Sequence, residues 1–146
     1  MTSSIIRVVA ACLLDDQDRL LLVRKRNTQL FMMPGGKPEY GEDNLTALVR
    51  ELQEELGWDC PSEALTPLGQ FSAPAANEAN MTVTADVFWG RIHQQVFPQA
   101  EIAQLEHVPL DAISSVPLAP LQHALMPTFL SLYASIKNSH VDNFAS

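Results

Sequence analysis

The chain has 146 residues, of which 47% are apolar and 18% are charged, and its formal net charge is −8. This length and composition exclude a disordered chain and predict one globular domain over residues 1–146. The acidic balance, without a cluster of basic residues, disfavours binding to a nucleic-acid polymer, which depends on cationic side chains that neutralise phosphates.

The first apolar run, residues 5–14, predicts a buried strand and not an export signal, because Arg7 leaves only four residues before Cys12. No segment has the roughly 20 apolar residues that cross a membrane, so we expect no membrane partner. Cys12 and Cys60 form neither a CxxC pair nor a metal-ligand set. We expect buried thiols in a reducing cytoplasm, with a disulfide as the alternative.

A polar turn at residues 15–19 joins this run to a second apolar run at residues 20–26, a pattern that predicts a β-hairpin. In the second strand, alternation places Lys25 on one face and Arg24 and Arg26 on the other. Each of these cations is a candidate contact for a substrate phosphate. A basic strand end in solvent is the equal alternative for each one.

The sequence Pro34-Gly35-Gly36 follows the hairpin and predicts a turn. Paired glycines permit close approach of other groups to the backbone. A backbone carbonyl at this turn is therefore a candidate metal ligand.

Residues 43–56 have the apolar spacing of an amphipathic helix, which Asp43 or Asn44 caps at its start and Gly57 ends. Its apolar residues are Leu45, Leu48, Val49, Leu52 and Leu56.

An acidic face, made of Glu51, Glu54 and Glu55, lies beside the apolar one. Glu51 and Glu55 repel each other at a spacing of four residues, and the C-terminal half of a helix disfavours anions. A hard divalent cation such as Mg²⁺ or Mn²⁺ bound to these carboxylates explains the cluster. A solvated acidic surface is the alternative.

The remainder of the chain predicts further strands, a loop and a second helix. A short strand is expected at residues 58–60, and longer strands are expected at residues 68–73 and 81–92. Residues 101–108 predict either another strand or a short turn followed by a strand. Residues 109–120 predict a loop with a helical turn. A helix follows at residues 121–137, which Pro127 either kinks or divides, and residues 138–146 predict a frayed tail.

The glycine turn and the acidic helix together match a known motif. Gly36, five residues, Glu42, seven residues and then RELQEELGW at residues 50–58 fit the pattern G-x5-E-x7-R-E-U-x-E-E-x-G-U, in which U is bulky and apolar. The chain therefore resembles the Nudix (MutT-like) hydrolases. The resemblance implies an α/β fold, namely an α/β/α sandwich with a mixed sheet and a loop-helix-loop catalytic motif.

The resemblance also implies a reaction, in which water attacks a phosphorus of a nucleoside diphosphate linked to a group X. The implied cofactor is Mg²⁺, with Mn²⁺ as a substitute. The implied metal ligands are Glu51, Glu54, Glu55 and the Gly36 carbonyl. Arg50 is expected to orient the carboxylates, and Glu42 is expected in the outer metal shell.

The general base is assigned by analogy with relatives that use a glutamate in a downstream loop, before an aromatic residue that opens a strand. Glu101 stands six residues before His107, which replaces the aromatic residue. Glu101 is the first choice and Glu55 the second. A solvated loop glutamate is the alternative for Glu101.

The substrate is expected to be a small phosphorylated nucleotide, selected by residues outside the motif. Phe31 occupies the position of an aromatic residue common in the family, with core packing as its alternative role. Met32, the loop at residues 74–80 and the segment at residues 114–123 are further candidates. The favoured substrates are (deoxy)nucleoside triphosphates, including oxidised ones. The alternatives are ADP-ribose or nucleotide sugars as substrates, or a non-catalytic nucleotide sensor. The oligomeric state stays open between a monomer and a homodimer.

Overall fold

The computed structural model of the protein describes residues 4–75 and 79–145, which form six strands and two α-helices in this part of the chain. Short 3-10 helices lie at Ser62–Ala64 and Leu110–Ser115. In chain order the elements are β1 (Ser4–Leu14), β2 (Arg19–Lys25), β3 (Gly35–Gly36), α1 (Asn44–Leu56), β4 (Thr66–Pro74), β5 (Met81–Arg91), β6 (Ile102–Pro109) and α2 (Pro120–Ala145).

The strands form one mixed sheet in the order β4-β5-β1-β2-β6. β1 runs parallel to β5, whereas the other pairs are antiparallel. The predicted hairpin is confirmed, since Leu14 of β1 lies opposite Leu20 of β2. Farther from the turn, Val9 and Ala10 of β1 pair instead with the glycines of β3. The predicted turn is thus only a bend at Pro34, because both glycines pair with the central strand of the sheet as β3. We call residues 34–36 the glycine turn.

Each face of the sheet is covered by one helix. Successive residues of β1 and β2 point to opposite faces, so they contribute to two separate cores. Ala10, Cys12 and Leu20 belong to a core with Leu125 and Phe129 of α2, which we call the α2-side core. The α1-side core on the opposite face contains Val9, Ala11, Leu21, Leu48, Leu52 and Leu56. The predicted α/β/α architecture is confirmed.

The two ends of α1 are capped as the sequence predicts. Asp43 is the N-cap and accepts a hydrogen bond from the Thr46 backbone N–H at 2.7 Å, which resolves the choice between Asp43 and Asn44. Gly57 ends the helix in the left-handed region, with φ of 67°, and its N–H donates to the Gln53 carbonyl. The start and end of the acidic helix are thus fixed locally.

Three further expectations have different outcomes in the structure. The short strand at residues 58–60 is wrong, since the apolar pattern there reflects burial of Trp58 and Cys60 in the α1-side core without strand pairing. Pro127 lies inside α2 and does not divide it. The α2 backbone is helical through Ala145, and fraying beyond residue 138 stays a prediction.

Of the proposed specificity loop at residues 74–80, residues 76–78 lie outside the described part of the chain. In that described part, neither helix combines the length and apolar character needed to cross a membrane.

Candidate active site

The glycine pair of β3 is where two glutamates of α1 meet the sheet. The Gly35 N–H donates to Glu55 Oε1 at 3.0 Å. The Glu51 carboxyl lies so close to Gly36 that a Cβ atom at that position would collide with it. Glu51 and Glu55 approach the same turn because they lie one helical turn apart. Glycine at residue 36 therefore makes room for a carboxylate beside the strand backbone.

Burial weakens the acidity of both glutamates. The Glu55 side chain is 2% exposed, and its Oε2 has no hydrogen-bond partner in the described structure. Burial raises the pKa of Glu55 to about 7, although the Gly35 hydrogen bond opposes this effect. Desolvation also raises the pKa of Glu51, against its hydrogen bond with Arg50. A bound cation would favour the ionised form of both groups.

Arg50 gathers the carboxylates of the motif. Its Nε and Nη2 each contact Glu42 at 2.9 Å, while Nη1 donates to Glu51 Oε1 at 2.9 Å. The same Nη1 lies 3.6 Å from Glu54 Oε1. Hydrogen bonding to Arg50 lowers the pKa of Glu42 to about 2, and hydrogen bonding to Glu42 in turn raises the pKa of Arg50. The planar guanidinium thus fixes the relative positions of these anions.

The fit of this site to a metal ion follows from its donor atoms. Within residues 4–75 and 79–145, no three His, Cys, Asp or Glu side chains are already grouped as a metal site. Glu51 and Glu54 contact Arg50, and Glu55 contacts Gly35. The unpartnered Glu55 oxygen and the desolvated Glu51 carboxyl at the glycine turn are nonetheless the hard oxygen donors that a divalent cation such as Mg²⁺ prefers. The residues present therefore fit such a cation.

A cavity of about 360 Å³ borders this cluster, and we call it the carboxylate cleft. Lys25 and Glu101 both line the cleft, with 3.2 Å between Lys25 Nζ and Glu101 Oε1. The Glu101 carbonyl accepts a hydrogen bond from the Arg26 N–H at 2.9 Å, which ties this residue to the end of β2. The cleft lining consists of Val8, Lys25, Gly36, Lys37, Glu39, Arg50, Glu51 and Glu101. It therefore places cationic side chains beside carboxylates.

A second cavity of about 260 Å³ shares Val8, Lys25, Gly36 and Lys37 with the carboxylate cleft. We call it the apolar pocket, because most of its wall comes from apolar residues of β1, β5, the end of β4, the segment before β3 and the start of α2. Thr28 and Gln122 contribute uncharged polar groups. The apolar part of the wall includes Ile6, Val8, Met32, Met33, Val83 and Leu121.

The predicted substrate-binding residues divide into two groups. Lys25 and Met32 line the cavities. Arg24 is instead hydrogen-bonded to Gln104 Oε1 at 3.1 Å and to the Thr28 carbonyl at 2.8 Å. Phe31 is packed into the α2-side core, and Arg26 is exposed. Thus the structure brings Lys25 and Met32 to the site, and Phe31 occupies the core position that was its alternative.

Two features of the site were missed by sequence reasoning. Lys37 lines both cavities, and its place directly after Gly36 was a usable signal. The burial of Glu55 was not expected, since its spacing placed it on the acidic face beside the apolar face of the helix. Part of the predicted specificity segment at residues 114–123 does reach the site, because residues 119–122 line the apolar pocket.

Comparison with known proteins identifies a family, and it finds two relatives that each match part of this chain. The model of the NUDIX domain matches residues 5–129. An uncharacterized Nudix hydrolase of Bacillus subtilis (strain 168), YvcI, is 27% identical over 117 residues, which cover 77% of this chain and 72% of YvcI. Human NUDT18, an 8-oxo-dGDP phosphatase, is 38% identical over 61 residues, which cover 40% of this chain but only 19% of NUDT18.

Solved structures share the fold over most of the chain. The MutT protein of Methanosarcina mazei Go1 has a TM-score of 0.75 and 22% identity, with 94% of this chain and 99% of that chain covered. The Escherichia coli ORF135 protein has a TM-score of 0.73 and 26% identity, with coverage of 91% and 94%. The NUDIX domain of Shewanella oneidensis NrtR, solved with ADP-ribose, has a TM-score of 0.68 and 19% identity, with coverage of 95% and 90%. The chain belongs to the Nudix family and is a MutT-like Nudix hydrolase.

Proposed function

We propose that this protein hydrolyses a diphosphate linkage in (deoxy)nucleoside triphosphates, including oxidised ones, with Mg²⁺ as its cofactor and Mn²⁺ as a substitute. The observation that carries the proposal is the junction of the two cavities at Lys25, Gly36 and Lys37. A nucleotide is matched to this arrangement, because its phosphates are anionic and its base is flat and largely apolar. The phosphates would occupy the carboxylate cleft and the base the apolar pocket.

Nudix proteins generally use divalent metals. In this chain, Glu51, Glu54, Glu55 and the Gly36 carbonyl would hold the ion, and Glu42 would belong to its outer shell through Arg50. The ion supplies Lewis-acid neutralisation of charge on the phosphate oxygens. Arg50 positions the carboxylates through its contacts with Glu42 and Glu51.

Glu101 is the proposed general base, with Glu55 as the second candidate. Glu101 lines the carboxylate cleft, and its side chain is 62% exposed, so water has access to it. It would take a proton from the attacking water, while Lys25 beside it would contact the phosphate. If Glu101 has this role, Glu101→Gln lowers kcat by about 100-fold or more and leaves KM within a few-fold. Loss of affinity alone would instead support a binding role.

Oxidised nucleotides are supported by the names of two relatives, each matched over 61 residues: the 8-oxo-dGDP phosphatase NUDT18 and a putative 8-oxo-dGTP diphosphatase of Bacillus subtilis (strain 168). ADP-ribose or a nucleotide sugar is the alternative, favoured by the ligand of the NrtR domain structure. The small size and apolar wall of the pocket favour a single base over a second sugar. A non-catalytic sensor is disfavoured, because all the carboxylates of the motif are present.

The proposal is tested by incubating the protein and Mg²⁺ with dNTPs, 8-oxo-dGTP, ADP-ribose and nucleotide sugars, and separating the products. We expect nucleoside monophosphate and pyrophosphate from triphosphates, and no turnover with chelator. Glu54→Gln should lower turnover about 100-fold while thermal unfolding is preserved. Turnover of ADP-ribose alone would reverse the substrate ranking, and equal turnover by the variant would overturn the metal-ligand role of Glu54.

The proposed compartment is the cytoplasm, and the proposed partner is a small nucleotide-type substrate. Cys12 lies in the α2-side core and Cys60 in the α1-side core, both as free thiols, so the sheet separates them. Buried free thiols are typical of a reducing compartment. A homodimer stays a prediction, and sedimentation analysis of the purified protein tests it.

A further inference from the structure

Lys25 and Glu101 form an ion pair in the wall of the carboxylate cleft, with 3.2 Å between Lys25 Nζ and Glu101 Oε1. Lys25 lines the apolar pocket as well, whereas Glu101 lines only the cleft. Lys25 therefore lies where the two cavities meet, and its charge is directed at the proposed general base.

The main chains of the two residues are held next to each other by hydrogen bonds. Lys25 of β2 lies opposite Ile102 of β6, and the Arg26 N–H donates to the Glu101 carbonyl at 2.9 Å. The Lys25 carbonyl accepts hydrogen bonds from the N–H and the hydroxyl of Thr28, at 3.2 Å and 2.8 Å. Separation of the Lys25 and Glu101 side chains therefore breaks no backbone hydrogen bond.

The ion pair is exposed enough to change its partner. The Lys25 side chain is 32% exposed and the Glu101 side chain is 62% exposed. Ion pairs in contact with water are weak, and the four-carbon stem of lysine is flexible. A nucleoside triphosphate carries more negative charge than one carboxylate, so its phosphates compete for Lys25 Nζ. Because like charges repel, a phosphate at Nζ disfavours a carboxylate at the same atom.

We propose that the Lys25–Glu101 ion pair is exchanged for a Lys25–phosphate contact when the substrate binds, so that the substrate itself frees the Glu101 carboxylate. This inference rests on the proposed function and adds a regulation of the same site. Departure of Lys25 opens Glu101 Oε1 to the attacking water once the phosphate is in place. A ligand without a diphosphate leaves the ion pair intact, so Glu101 is released only beside a bound diphosphate.

A double-mutant cycle on binding tests the exchange. The four proteins are the wild type, Glu101→Gln, Lys25→Met and the double variant. Their affinities for α,β-methylene-dATP and for inorganic pyrophosphate are measured by calorimetry with Mg²⁺. Glu101→Gln removes the competitor for Lys25, so it should tighten binding about three- to five-fold. In the Lys25→Met background, the same substitution should change the affinity by less than about two-fold.

Glu39→Gln is the matched control, because Glu39 lines the same cleft but its side chain makes no ion pair in the part of the chain that the structure describes. It removes a charge of the same sign, and it should have the same effect with and without Lys25. Equal effects of Glu101→Gln in the two backgrounds would overturn the exchange. Weaker binding by Glu101→Gln with Lys25 present would also overturn it, since Glu101 would then hold the ligand or its metal.

The binding cycle separates this inference from the proposed function, because neither probe has to be hydrolysed. Coupling between Lys25 and Glu101 without turnover of any nucleotide would support the exchange and contradict the proposed hydrolysis. Turnover of dNTPs without such coupling would sustain the proposed function and overturn the exchange. The absence of affinity for both probes in all four proteins would likewise overturn it, because the exchange requires a phosphate at Lys25.

Discussion

The carboxylate cleft and the apolar pocket are joined at Gly36, yet they are built in different ways. The cleft takes Arg50 and Glu51 from adjacent positions of α1, next to Glu54 and Glu55 at helical spacing, and only Glu39 and Glu101 of its lining acids come from outside the helix. The pocket combines residues from β1, β4, β5, the segment before β3 and the start of α2. Local spacing therefore specifies the motif side chains of the cleft, whereas tertiary packing specifies the space beside them.

The carboxylate cleft and the apolar pocket also differ in their electrostatics. Glu51 and Glu55 are held in a partly dehydrated environment that raises the pKa of each, so the cleft depends on an added cation. The apolar pocket is lined mostly by apolar side chains, so we expect its selectivity to depend mainly on the shape of the bound group. Changes in the cleft should affect every substrate, and changes in the pocket should affect which substrate is used.

The largest effect is expected from Glu51→Gln. Removal of this anion should lower kcat/KM by about 100- to 1,000-fold for every nucleotide, because a group that stabilises charge during phosphate transfer is lost. The ranking of substrates should stay the same, since the pocket is untouched. Steady-state kinetics measures both quantities. The control is Glu63→Gln, an exposed glutamate outside the site. A changed ranking with retained rate would contradict the division between the two regions.

A second prediction concerns the stability of the metal-free protein. Burial raises the pKa of Glu55 from 4.5 to about 7, so its protonated form favours folding. This contribution is fully present below pH 4.5 and is lost as the pH rises through 7. Relative to Glu55→Gln, the wild type should lose about 3 kcal/mol of unfolding free energy over that range. Denaturant titrations at several pH values measure the difference.

Added Mg²⁺ should restore stability to the wild type above pH 7 more than to Glu55→Gln, because a metal that binds the folded state stabilises it by mass action. Parallel pH profiles for the two proteins, with or without Mg²⁺, would contradict the position assigned to Glu55 in the site.

A smaller effect is expected from Arg50→Lys. Lysine keeps the charge but loses the planar fork that contacts Glu42 and Glu51 at 2.9 Å. Activity at saturating nucleotide should fall about 10- to 100-fold, and more Mg²⁺ should be needed for half-maximal rate. A metal titration of the rate distinguishes this positioning role from a loss of stability. An unchanged Mg²⁺ requirement would contradict it.

The smallest effect is expected from Val83→Ile, which adds one methyl group to the wall of the apolar pocket. The kcat/KM for the preferred nucleotide should change by about 10-fold, and the ratio between purine and pyrimidine nucleotides should change with it. The pH and Mg²⁺ dependence of stability should match the wild type. Equal changes for all nucleotides would show that Val83 does not contact the base.

Local sequence patterns predict much of the fold and the acidic residues of the site. The hairpin, both caps of α1 and the acidic residues at helical spacing depend on neighbours within a few residues, which the sequence displays directly. The burial of Glu55 depends on its contact with Gly35, twenty residues earlier in the chain. The same limit applies to the predicted specificity segment at residues 114–123, since only the packing of α2 on the sheet decides that residues 119–122 line the apolar pocket.

The wrong strand at residues 58–60 has a related cause. Trp58 and Cys60 are buried beside an exposed Asp59, which gives the alternation typical of a strand. Burial in the α1-side core produces that alternation without strand pairing. Alternation reports which side chains are buried, and strand pairing must be established from the arrangement of the backbone.

The central claim is tested most directly by a crystal structure with Mn²⁺ and a non-hydrolysable nucleoside triphosphate analogue. Anomalous scattering from Mn²⁺ locates the metal independently of the protein model. We expect the ion at the carboxylates of Glu51 and Glu55 beside Gly36, the phosphates near Lys25, and the base in the apolar pocket. A metal bound away from the glycine turn, or a base bound outside the apolar pocket, would contradict the account.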